Sequence, residues 1–535
     1  MTETFCARAI VTMNPDQPLA THVAIADGRI IAVGDRHDAE GWGFTIDDRY
    51  GDQVMMPGFV EGHGHLVTGG IWDFIFVGAH PRPHPDGRQI GSVRDNAAVV
   101  ARLQLERQPG KPVIGWGFDP IFVSGERLSR RDLDQVDGAV PVAVMHSNLH
   151  LMTVNSAALD MVGYTRDSDV VGLVTDEQGE PTGVLREFAA MFPIMRRLGI
   201  DVDALANSER AMDRYGRLCV RAGVTTATDL LNGLPDDAVA MMGAYTAGDG
   251  CPIRLLATLN ALGGKAEDIS THARALAHKS TERLRLGAVK VMTDGSMQGY
   301  TAQLKKPYLM GNGDPMWNIA PEQLNRLISV LHGDKLQMHL HANGDLAVEV
   351  VIQALEAAVA SHPDWEHRHI IQHFQLGDAE QLQRAKAIGA GVNIFVNHVY
   401  YFGDKHVEIL LGPERAATVD PCGSARRVGV PMAVHSDSPV TTLAPLFTAG
   451  VAVNRRTESG KVLGPDECIP VMDALRAITL GAAWTLKMEN EIGSIEAGKF
   501  ADFAILAENP LDVDPSVFGD IKVMGTVSGG RHFTA

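Results

Sequence analysis

The sequence predicts an α/β fold, a (β/α)8 TIM-like barrel with a small composite β-sandwich from both termini and a large insertion after the first barrel strand. Three observations predict it. Both ends of the chain consist of short β-like runs, and the middle alternates buried apolar runs with helical segments. One connection in that middle, residues 66–223, is far too long to be an ordinary loop. A chain of 535 residues is long enough for one large barrel with additional domains.

The terminal runs lie at residues 6–13, 22–34, 501–506 and 521–533. Turn signals such as Asn509-Pro510 interrupt them. Two β-rich ends that flank a long middle indicate one small sheet domain assembled from both termini. We predict that residues 1–55 and 489–535 form this domain.

The middle of the chain, residues 56–488, is predicted to be the barrel. Eight apolar, β-branched runs have the near-continuous hydrophobicity of buried parallel strands. They are residues 54–65, 224–230, 253–260, 286–293, 336–342, 368–374, 391–396 and 431–437. The segments between the later runs contain good helix formers, and one of them opens with Pro321, a favoured first helical residue.

The long connection after the first strand has strand-like runs of its own at residues 112–118 and 141–150. We interpret residues 80–215 as an inserted cap over the mouth of the barrel, where a cap would shape substrate choice. Its aromatic side chains, Trp116 among them, favour a hydrophobic or aromatic substrate group, or they form the core of the cap itself.

The composition excludes several classes of partner. Lys and Arg number 47 against 65 Asp and Glu, so the net charge is −18. Such an acidic surface repels nucleic acid and anionic membranes. The N-terminus lacks the pattern of a signal peptide, and no apolar run has the length needed to span a bilayer.

The five cysteines are scattered and never occur in a C-x-x-C spacing. They are typical of reduced thiols, and they indicate neither a disulfide framework nor a zinc knuckle. We therefore expect a cytoplasmic protein that acts on a small molecule without a nucleic-acid or membrane partner, and a homodimer is left open.

Polar side chains stand at the carboxyl ends of several predicted strands, the face of a barrel where catalytic groups converge. His63 and His65 close the first strand, and residues two apart on a strand point to the same side, so both can reach one ion. The further residues are Lys290 in strand four, His341 in strand five, His373 in strand six and Asp437 in strand eight.

Each of these residues also has a structural interpretation. A lone histidine in an apolar strand is usually a hydrogen-bonded core residue, and Asp437 could cap the next helix. Lys290 is harder to explain, because a lysine inside an apolar strand must be paired, neutral or chemically modified. Chance placement of all these groups at strand ends is a poor explanation.

Motifs along the whole chain carry a resemblance to a known family. Residues 56–66 and 492–503 resemble the opening and closing motifs of the amidohydrolase superfamily. Intermediate motifs at residues 115–119, 154–159, 183–187, 341–345 and 436–440 resemble the amidohydrolase 3, YtcJ-like group, which includes N-substituted formamide deformylases. Their order and spacing make the resemblance specific.

The resemblance implies a set of metal ligands. His63, His65 and Asp437 would bind a first divalent ion, and His341 and His373 a second. Lys290 stands where many relatives carry a carboxylated lysine that bridges two ions; carboxylation turns a buried ammonium into an anionic oxygen ligand. One or two ions, with zinc the expected metal, would be the cofactor.

Some residues depart from the family pattern beside the implied ligands. Glu61 stands where Asp is usual, Gln372 where relatives often have Glu, and His435 where Gly is common, while His339 is an additional inward histidine. These departures affect substrate identity and pKa tuning more than the metal site. Glu187 in the insertion is a rival carboxylate that could contact an ion.

The resemblance implies a metal-dependent hydrolase that cleaves a C–N bond of an amide, formamide or cyclic amide by attack of metal-bound hydroxide. Asp437 would take the water proton and pass it to the leaving nitrogen. Candidate donors to the oxyanion and candidate substrate contacts are His339, His435, His398, His150, Glu187 and Trp116. Two alternatives remain: a deaminase of a ring C–N bond that uses one metal, and a catalytically silent relative that serves as a scaffold.

Overall fold

The computed structural model describes residues 2–123, 126–147, 149, 151–311 and 313–535. The chain forms two compact units, one of Met1–His65 with Gly216–Ala535 and one of Leu66–Tyr215. Across the described ranges, no helix combines the length and the apolar character needed to cross a bilayer.

The larger unit contains a barrel sheet of nine parallel strands, eight of which follow one another in sequence order. These eight are Phe59–Val60, Val224–Asn232, Arg254–Asn260, Val289–Met292, Met338–Ala342, Ile370–His373, Gly391–Ile394 and Met432–Val434. The ninth, Leu284–Arg285, pairs with Arg254–Asn260. A parallel bridge between Gly64 and Ser438 joins the end of the first strand to the end of the eighth. The predicted (β/α)8 barrel is confirmed.

The barrel strands are buried on both faces, as parallel strands covered by helices must be. Every residue of the fifth, sixth and seventh strands is buried. Neighbouring strands pair in a regular register that sets Lys290 beside His339, and Gln372 beside both His341 and Asn393. Polar side chains of adjacent strands therefore lie side by side at the same level.

Helices follow the barrel strands and cover them. The longer ones are Glu209–Ala222, Asp236–Ala247, Ala266–Ala277, Pro321–Gly333, Asp345–Ser361, Ala379–Ala387, Asn397–Lys405, Cys422–Val428, Pro445–Asn454, Val471–Ala477 and Leu480–Thr485. Pro321–Gly333 has proline in its first turn and buries Leu324, Leu327, Ile328 and Leu331, the spacing of one helical face. Ala379–Ala387 begins with a capping box between Asp378 and Gln381.

Both termini contribute to one seven-stranded sheet. Its strands, in spatial order, are Arg531–Thr534, Val523–Ser528, Phe503–Leu506, Ile46–Pro57, Thr2–Val11, Leu19–Ala26 and Arg29–Gly34. The sheet curls over, because the ring of Phe5 contacts that of His532 with centroids 5.2 Å apart although three strands separate theirs. Its apolar core includes Phe5, Ile25 and Phe503.

The first predicted barrel strand was placed wrongly at its start. The run 54–65 is divided at Gly58: Ile46–Pro57 belongs to the terminal sheet, and only Phe59–Val60 belongs to the barrel. A Cβ on Gly58 would lie 1.9 Å from Oγ1 of Thr225. The chain therefore needs glycine where it passes from one sheet to the next.

The smaller unit has its own six-stranded sheet and core. Its strands, in spatial order, are Leu173–Thr175, Pro181–Arg186, Leu151–Val154, Val142–His146, Val113–Phe118 and Ile75–Phe76. Its main helices are Asn96–Glu106, Arg130–Asp134, Ser156–Val162, Glu187–Leu198 and Val202–Ala206. Apolar side chains such as Val99, Leu103 and Val144 form the core, which is typical of an independently packed insertion.

Candidate metal centre

Three predicted ligands meet at the carboxyl ends of barrel strands one and eight. Nε2 of His65 lies 3.1 Å from Oδ1 of Asp437. Nε2 of His63 lies 3.5 Å from the same oxygen. Their ligand atoms all lie within 4.8 Å of one another, so one ion can reach all three residues.

A second group of ligand atoms shares His63 with the first. Nitrogens of His63, His373 and His435 lie within 4.8 Å of one another. The ring of His435 stacks on that of His63 at 4.5 Å, and His373 lies 4.6 Å from His63. Nδ1 of His373 approaches Oδ2 of Asp437 at 3.8 Å, so Asp437, a member of the first group, also lies beside the second.

The donor set fits a divalent metal ion. Among the described residues, neither ring nitrogen of His435 has a hydrogen-bond partner, and Nδ1 of His373 has none. Burial lowers the pKa of His435 to about 3 and holds those of His63 and His373 well below the ordinary value. Neutral imidazoles are the form that binds metal, and buried nitrogens without partners are costly unless an ion occupies the space between them.

The carboxylate of Asp437 is ionised under ordinary conditions. Burial alone would raise the pKa of Asp437. The hydrogen bond from His65 and the charge of the His65 ring outweigh burial and lower that pKa to about 2. Oδ1 of Asp437 is engaged by His65, and Oδ2 lies 3.8 Å from Nδ1 of His373. An anionic oxygen is thus available beside the ligand nitrogens.

Lys290 lies inside the barrel, 1 % exposed, on strand four. Its Nζ is 3.2 Å from Nε2 of His63. Burial lowers the pKa of Lys290 to about 7, and only the charge of Asp437 opposes this effect. A large fraction of the amine is therefore neutral near pH 7, the form that can react or bind as a donor.

Gln372 connects two of the histidines. Its Oε1 lies 2.7 Å from Nδ1 of His63, and its Nε2 lies 2.8 Å from Nδ1 of His339. All three side chains are buried. Nε2 of His339 has no hydrogen-bond partner in the described part of the chain.

Glu61, the departure from the family motif, supports the ends of strands one and eight. Its Oε2 accepts a hydrogen bond from Oγ of Ser436 at 2.8 Å, and its Oε1 accepts from the backbone of Ser436 at 3.2 Å. Burial raises the pKa of Glu61 to about 8. Glu61 holds the segments that carry His63 and Asp437 without joining either group of ligand atoms found in the described residues.

His341 lies beside the groups but its Nε2 is directed elsewhere. That nitrogen lies 3.2 Å from the carbonyl oxygen of Gly295 and 3.1 Å from Nδ2 of Asn343. Its ring contacts that of His373 with centroids 4.5 Å apart. In this arrangement the nitrogens of His341 are not within the two groups that share His63, as far as the described residues extend.

Two aspartates near the site were missed by the sequence analysis. Oδ1 of Asp229, at the end of strand two, lies 4.0 Å from Nδ1 of His65. Asp294, after strand four, accepts hydrogen bonds from the backbone of Gln303, Asn343 and Gly344 at 3.0 Å. The signal was present in the sequence, because each is a carboxylate at the carboxyl end of a buried strand.

Four candidate residues remain: His398, Trp116, Glu187 and His150. Nδ1 of His398 lies 3.4 Å from Oδ1 of Asp420, away from both ligand groups. Trp116 and Glu187 belong to the smaller unit, where the Trp116 ring packs against Trp72 at 5.1 Å. His150 lies outside the described residues.

A third histidine group, His332, His367 and His369, lies at the opposite ends of strands five and six. Nδ1 of His332 bonds Nε2 of His369 at 2.9 Å, and Nε2 of His332 reaches the carbonyl oxygen of His362. The remaining ring nitrogens bond the backbone. Every ring nitrogen in this group has a partner, so it is a structural network rather than a metal centre.

The chain is similar to a known family and to several known proteins. A model of the amidohydrolase family matches residues 51–533. The chain is 28% identical to the putative amidohydrolase YtcJ of Bacillus subtilis (strain 168), covering 98% of this chain and 97% of that protein. It is 26% identical to the N-substituted formamide deformylase of Arthrobacter pascens, covering 97% and 96%. It is also 26% identical to protein LONG AFTER FAR-RED 3 of Arabidopsis thaliana, covering 98% and 90%.

A solved structure shares the fold. It is that of an uncharacterized metal-dependent hydrolase from Pyrococcus horikoshii OT3, with a TM-score of 0.73 and 23% identity. The match covers 96% of this chain and 99% of that one. The family match extends over nearly the whole chain and includes every barrel strand. The chain belongs to the amidohydrolase family, as the sequence motifs indicated.

Proposed function

We propose that the protein is a metal-dependent hydrolase that cleaves a C–N bond of a small amide, formamide or cyclic amide. One observation carries the proposal. Nitrogens of His63, His65 and His373 lie within 4 Å of the ionised carboxylate of Asp437 at the carboxyl ends of the barrel strands, and His435 shares a group of ligand atoms with His63 and His373. That end of a barrel is where catalytic groups converge, and this donor set is the one that zinc and similar ions prefer.

A divalent ion held by these side chains would supply a nucleophile at neutral pH and polarise the scissile carbonyl. Asp437 would then act as the proton carrier. Its Oδ1 is fixed by His65, so Oδ2 is the oxygen that takes a proton from the attacking water and gives it to the leaving nitrogen. A carboxylate with a pKa of about 2 is ionised throughout the physiological range, so both of its oxygens are free of protons before the reaction begins.

His435 and His339 are the candidates for contact with the carbonyl oxygen. Both are neutral at pH 7, because burial lowers the pKa of each to about 3. A neutral imidazole has one N–H, and each residue has a ring nitrogen without a hydrogen-bond partner among the described residues. Such a donor, fixed in a buried site, stabilises a developing oxyanion strongly.

Lys290 is proposed to be carboxylated when two ions bind. The buried amine lies 3.2 Å from His63, and no acidic side chain forms an ion pair with it among the described residues. Reaction of the neutral amine with carbon dioxide would form an N–C bond and release one proton, which gives an anionic carbamate whose two oxygens are suited to bind divalent ions.

Metal analysis combined with a substrate screen tests the proposal. We expect purified protein to contain one or two equivalents of a divalent metal and, when loaded with zinc, to hydrolyse members of a panel of N-acyl, N-formyl and cyclic amides. Because the chain is similar to the N-substituted formamide deformylase of Arthrobacter pascens, N-substituted formamides are the first substrates to test. Protein that binds no divalent ion would contradict the proposal.

A deaminase of a ring C–N bond is the second candidate. The compact group of His63, His65 and Asp437 favours it, because that group suffices for one ion without Lys290. One equivalent of metal, an unmodified chain mass and release of ammonia from heterocyclic amines would favour deamination. A scaffold role would require that metal-loaded protein hydrolyses neither class of substrate.

A further inference from the structure

We infer that Gln372 is a positioning residue that fixes the tautomers of His63 and His339, so that His63 offers Nε2 to a metal and His339 offers an N–H to the substrate. The inference rests on the proposed metal centre, but it concerns which ring nitrogen of His63 and of His339 carries the proton. Three facts carry it: the two hydrogen bonds of Gln372, the contact of Lys290 and the burial of all four side chains.

An amide oxygen can only accept hydrogen bonds, and Oε1 of Gln372 lies 2.7 Å from Nδ1 of His63. Nδ1 of His63 must therefore carry the proton, which leaves the lone pair on Nε2. Nζ of Lys290 lies 3.2 Å from that nitrogen and can donate a hydrogen bond to it. The lone pair on Nε2 faces the side of the site where Asp437 lies at 3.5 Å.

The position of the proton on His339 follows from the chemistry of the Gln372 amide. A glutamine side chain has one acceptor end and one donor end, and the acceptor end of Gln372 is used by His63. Its Nε2 therefore donates to Nδ1 of His339, 2.8 Å away. His339 must then carry its own proton on Nε2, the atom without a partner among the described residues. One orientation of the Gln372 amide therefore leaves a lone pair on Nε2 of His63 and a proton on Nε2 of His339.

Replacement by glutamate would separate the two roles. A carboxylate accepts from both sides and donates to neither. The Gln372→Glu variant should keep the proton of His63 on Nδ1 but move that of His339 from Nε2 to Nδ1. The Gln372→Leu variant should release both rings. This contrast distinguishes a tautomer-setting residue from one that merely fills space.

The test uses protein with ¹⁵N-labelled histidine and long-range ¹H–¹⁵N correlation spectra of the metal-free state, with His63 and His339 assigned from His63→Asn and His339→Asn spectra. In the wild type we expect the proton of His63 on Nδ1 and that of His339 on Nε2. In Gln372→Glu, His339 alone should change. A proton on Nε2 of His63 in the wild type would overturn the inference.

Metal affinity is the second readout. Loss of an outer hydrogen bond to a metal-binding histidine typically weakens affinity by about 10- to 100-fold, so we expect that loss in Gln372→Leu and near wild-type affinity in Gln372→Glu. Gln375→Leu is the matched control, because Gln375 is another buried glutamine whose Nε2 lies 3.2 Å from a histidine nitrogen, that of His406 outside the site. Equal affinity in Gln372→Leu and wild type would also refute the inference. If no variant or wild type binds metal, the proposed function fails while the tautomer result still stands.

Discussion

Asp437 is the residue on which the proposed chemistry depends. It is the ionised group within 4 Å of nitrogens of three histidines, with Oδ1 hydrogen-bonded to His65 and 3.5 Å from His63, and with Oδ2 3.8 Å from His373. The alternative structural role of Asp437, that of a helix cap, does not fit its contacts. Its carboxylate approaches imidazole rings, and among the described residues it accepts no hydrogen bond from a backbone N–H.

The Asp437→Asn variant should fold normally but lose proton transfer. We expect kcat/KM on a confirmed substrate to fall by about 100- to 10,000-fold, the usual contribution of a positioned acid–base group. Circular dichroism and thermal unfolding provide the control for folding. Turnover within a few fold of the wild type would remove Asp437 from the mechanism.

Lys290 gives a second prediction at the same scale. The Lys290→Ala variant should bind less than the full complement of metal, because both the bridging group and the buried stem are lost. A small carboxylic acid such as propionate should partly restore metal content and activity by occupying the space. Full metal content in the variant, with no response to the acid, would argue against a carbamate.

At the scale of elements, the helices on the outside of the barrel are joined by a charge cluster. Arg384 on Ala379–Ala387 donates to Glu349 on Asp345–Ser361 at 2.7 Å and to Glu356 on the same helix at 2.8 Å. Burial alone would raise the pKa of Glu349, but hydrogen bonds from Arg384 and Gln381 outweigh it and lower the pKa to about 2.

This cluster predicts a pH-dependent contribution to stability. A carboxyl whose folded pKa is depressed stabilises the fold above its ordinary pKa of 4.5 and loses that effect as pH falls towards 2. Glu349→Gln should therefore lower the free energy of unfolding by about 1 kcal/mol at pH 7 and by little near pH 2, after allowance for solvent screening.

Urea unfolding of wild type and variant at several pH values measures this difference. Glu380→Gln is the control, because it removes the same charge from an exposed position on the helix that carries Arg384. A difference between wild type and Glu349→Gln that stayed constant from pH 7 to pH 3 would contradict the assignment.

The elements of the barrel could be predicted from sequence because parallel strands bury both faces. Polar residues such as Lys290 and Asp437 then stand out against apolar runs. The start of the first strand could not be predicted, because the run 54–60 is continuously apolar and its division at Gly58 depends on contact with Thr225. The hydrogen bonds of Gln372 could not be predicted from sequence either, because they depend on atomic distances between side chains of three strands.

At the scale of the larger unit, a buried ion pair joins the barrel to the terminal sheet. Nε of Arg254, at the start of strand three, lies 2.7 Å from Oδ2 of Asp502, and both side chains are less than 5 % exposed. The guanidinium also lies over the ring of Phe500 at 3.4 Å. Asp502 accepts from the backbone of Gly529 as well, so it holds the last strands in place.

Asp502→Asn should leave the charge of Arg254 buried without compensation. We expect the free energy of unfolding to fall by about 3 kcal/mol or more. The Arg254→Met, Asp502→Leu double variant should recover much of that loss, because a buried pair replaced by apolar groups is often neutral. Denaturant titration measures both, and a single variant as stable as the wild type would show that the pair contributes little.

The terminal sheet has a consequence for how the chain acquires its structure. Ile46–Pro57 is bonded on one side to Thr2–Val11 and on the other to Phe503–Leu506. During synthesis the N-terminal strands leave the ribosome on the order of tens of seconds before their last partner exists. For that interval Ile46–Pro57 is an unpaired edge, the kind of surface that recruits wrong partners. Completion of this sheet must therefore be a late event during synthesis.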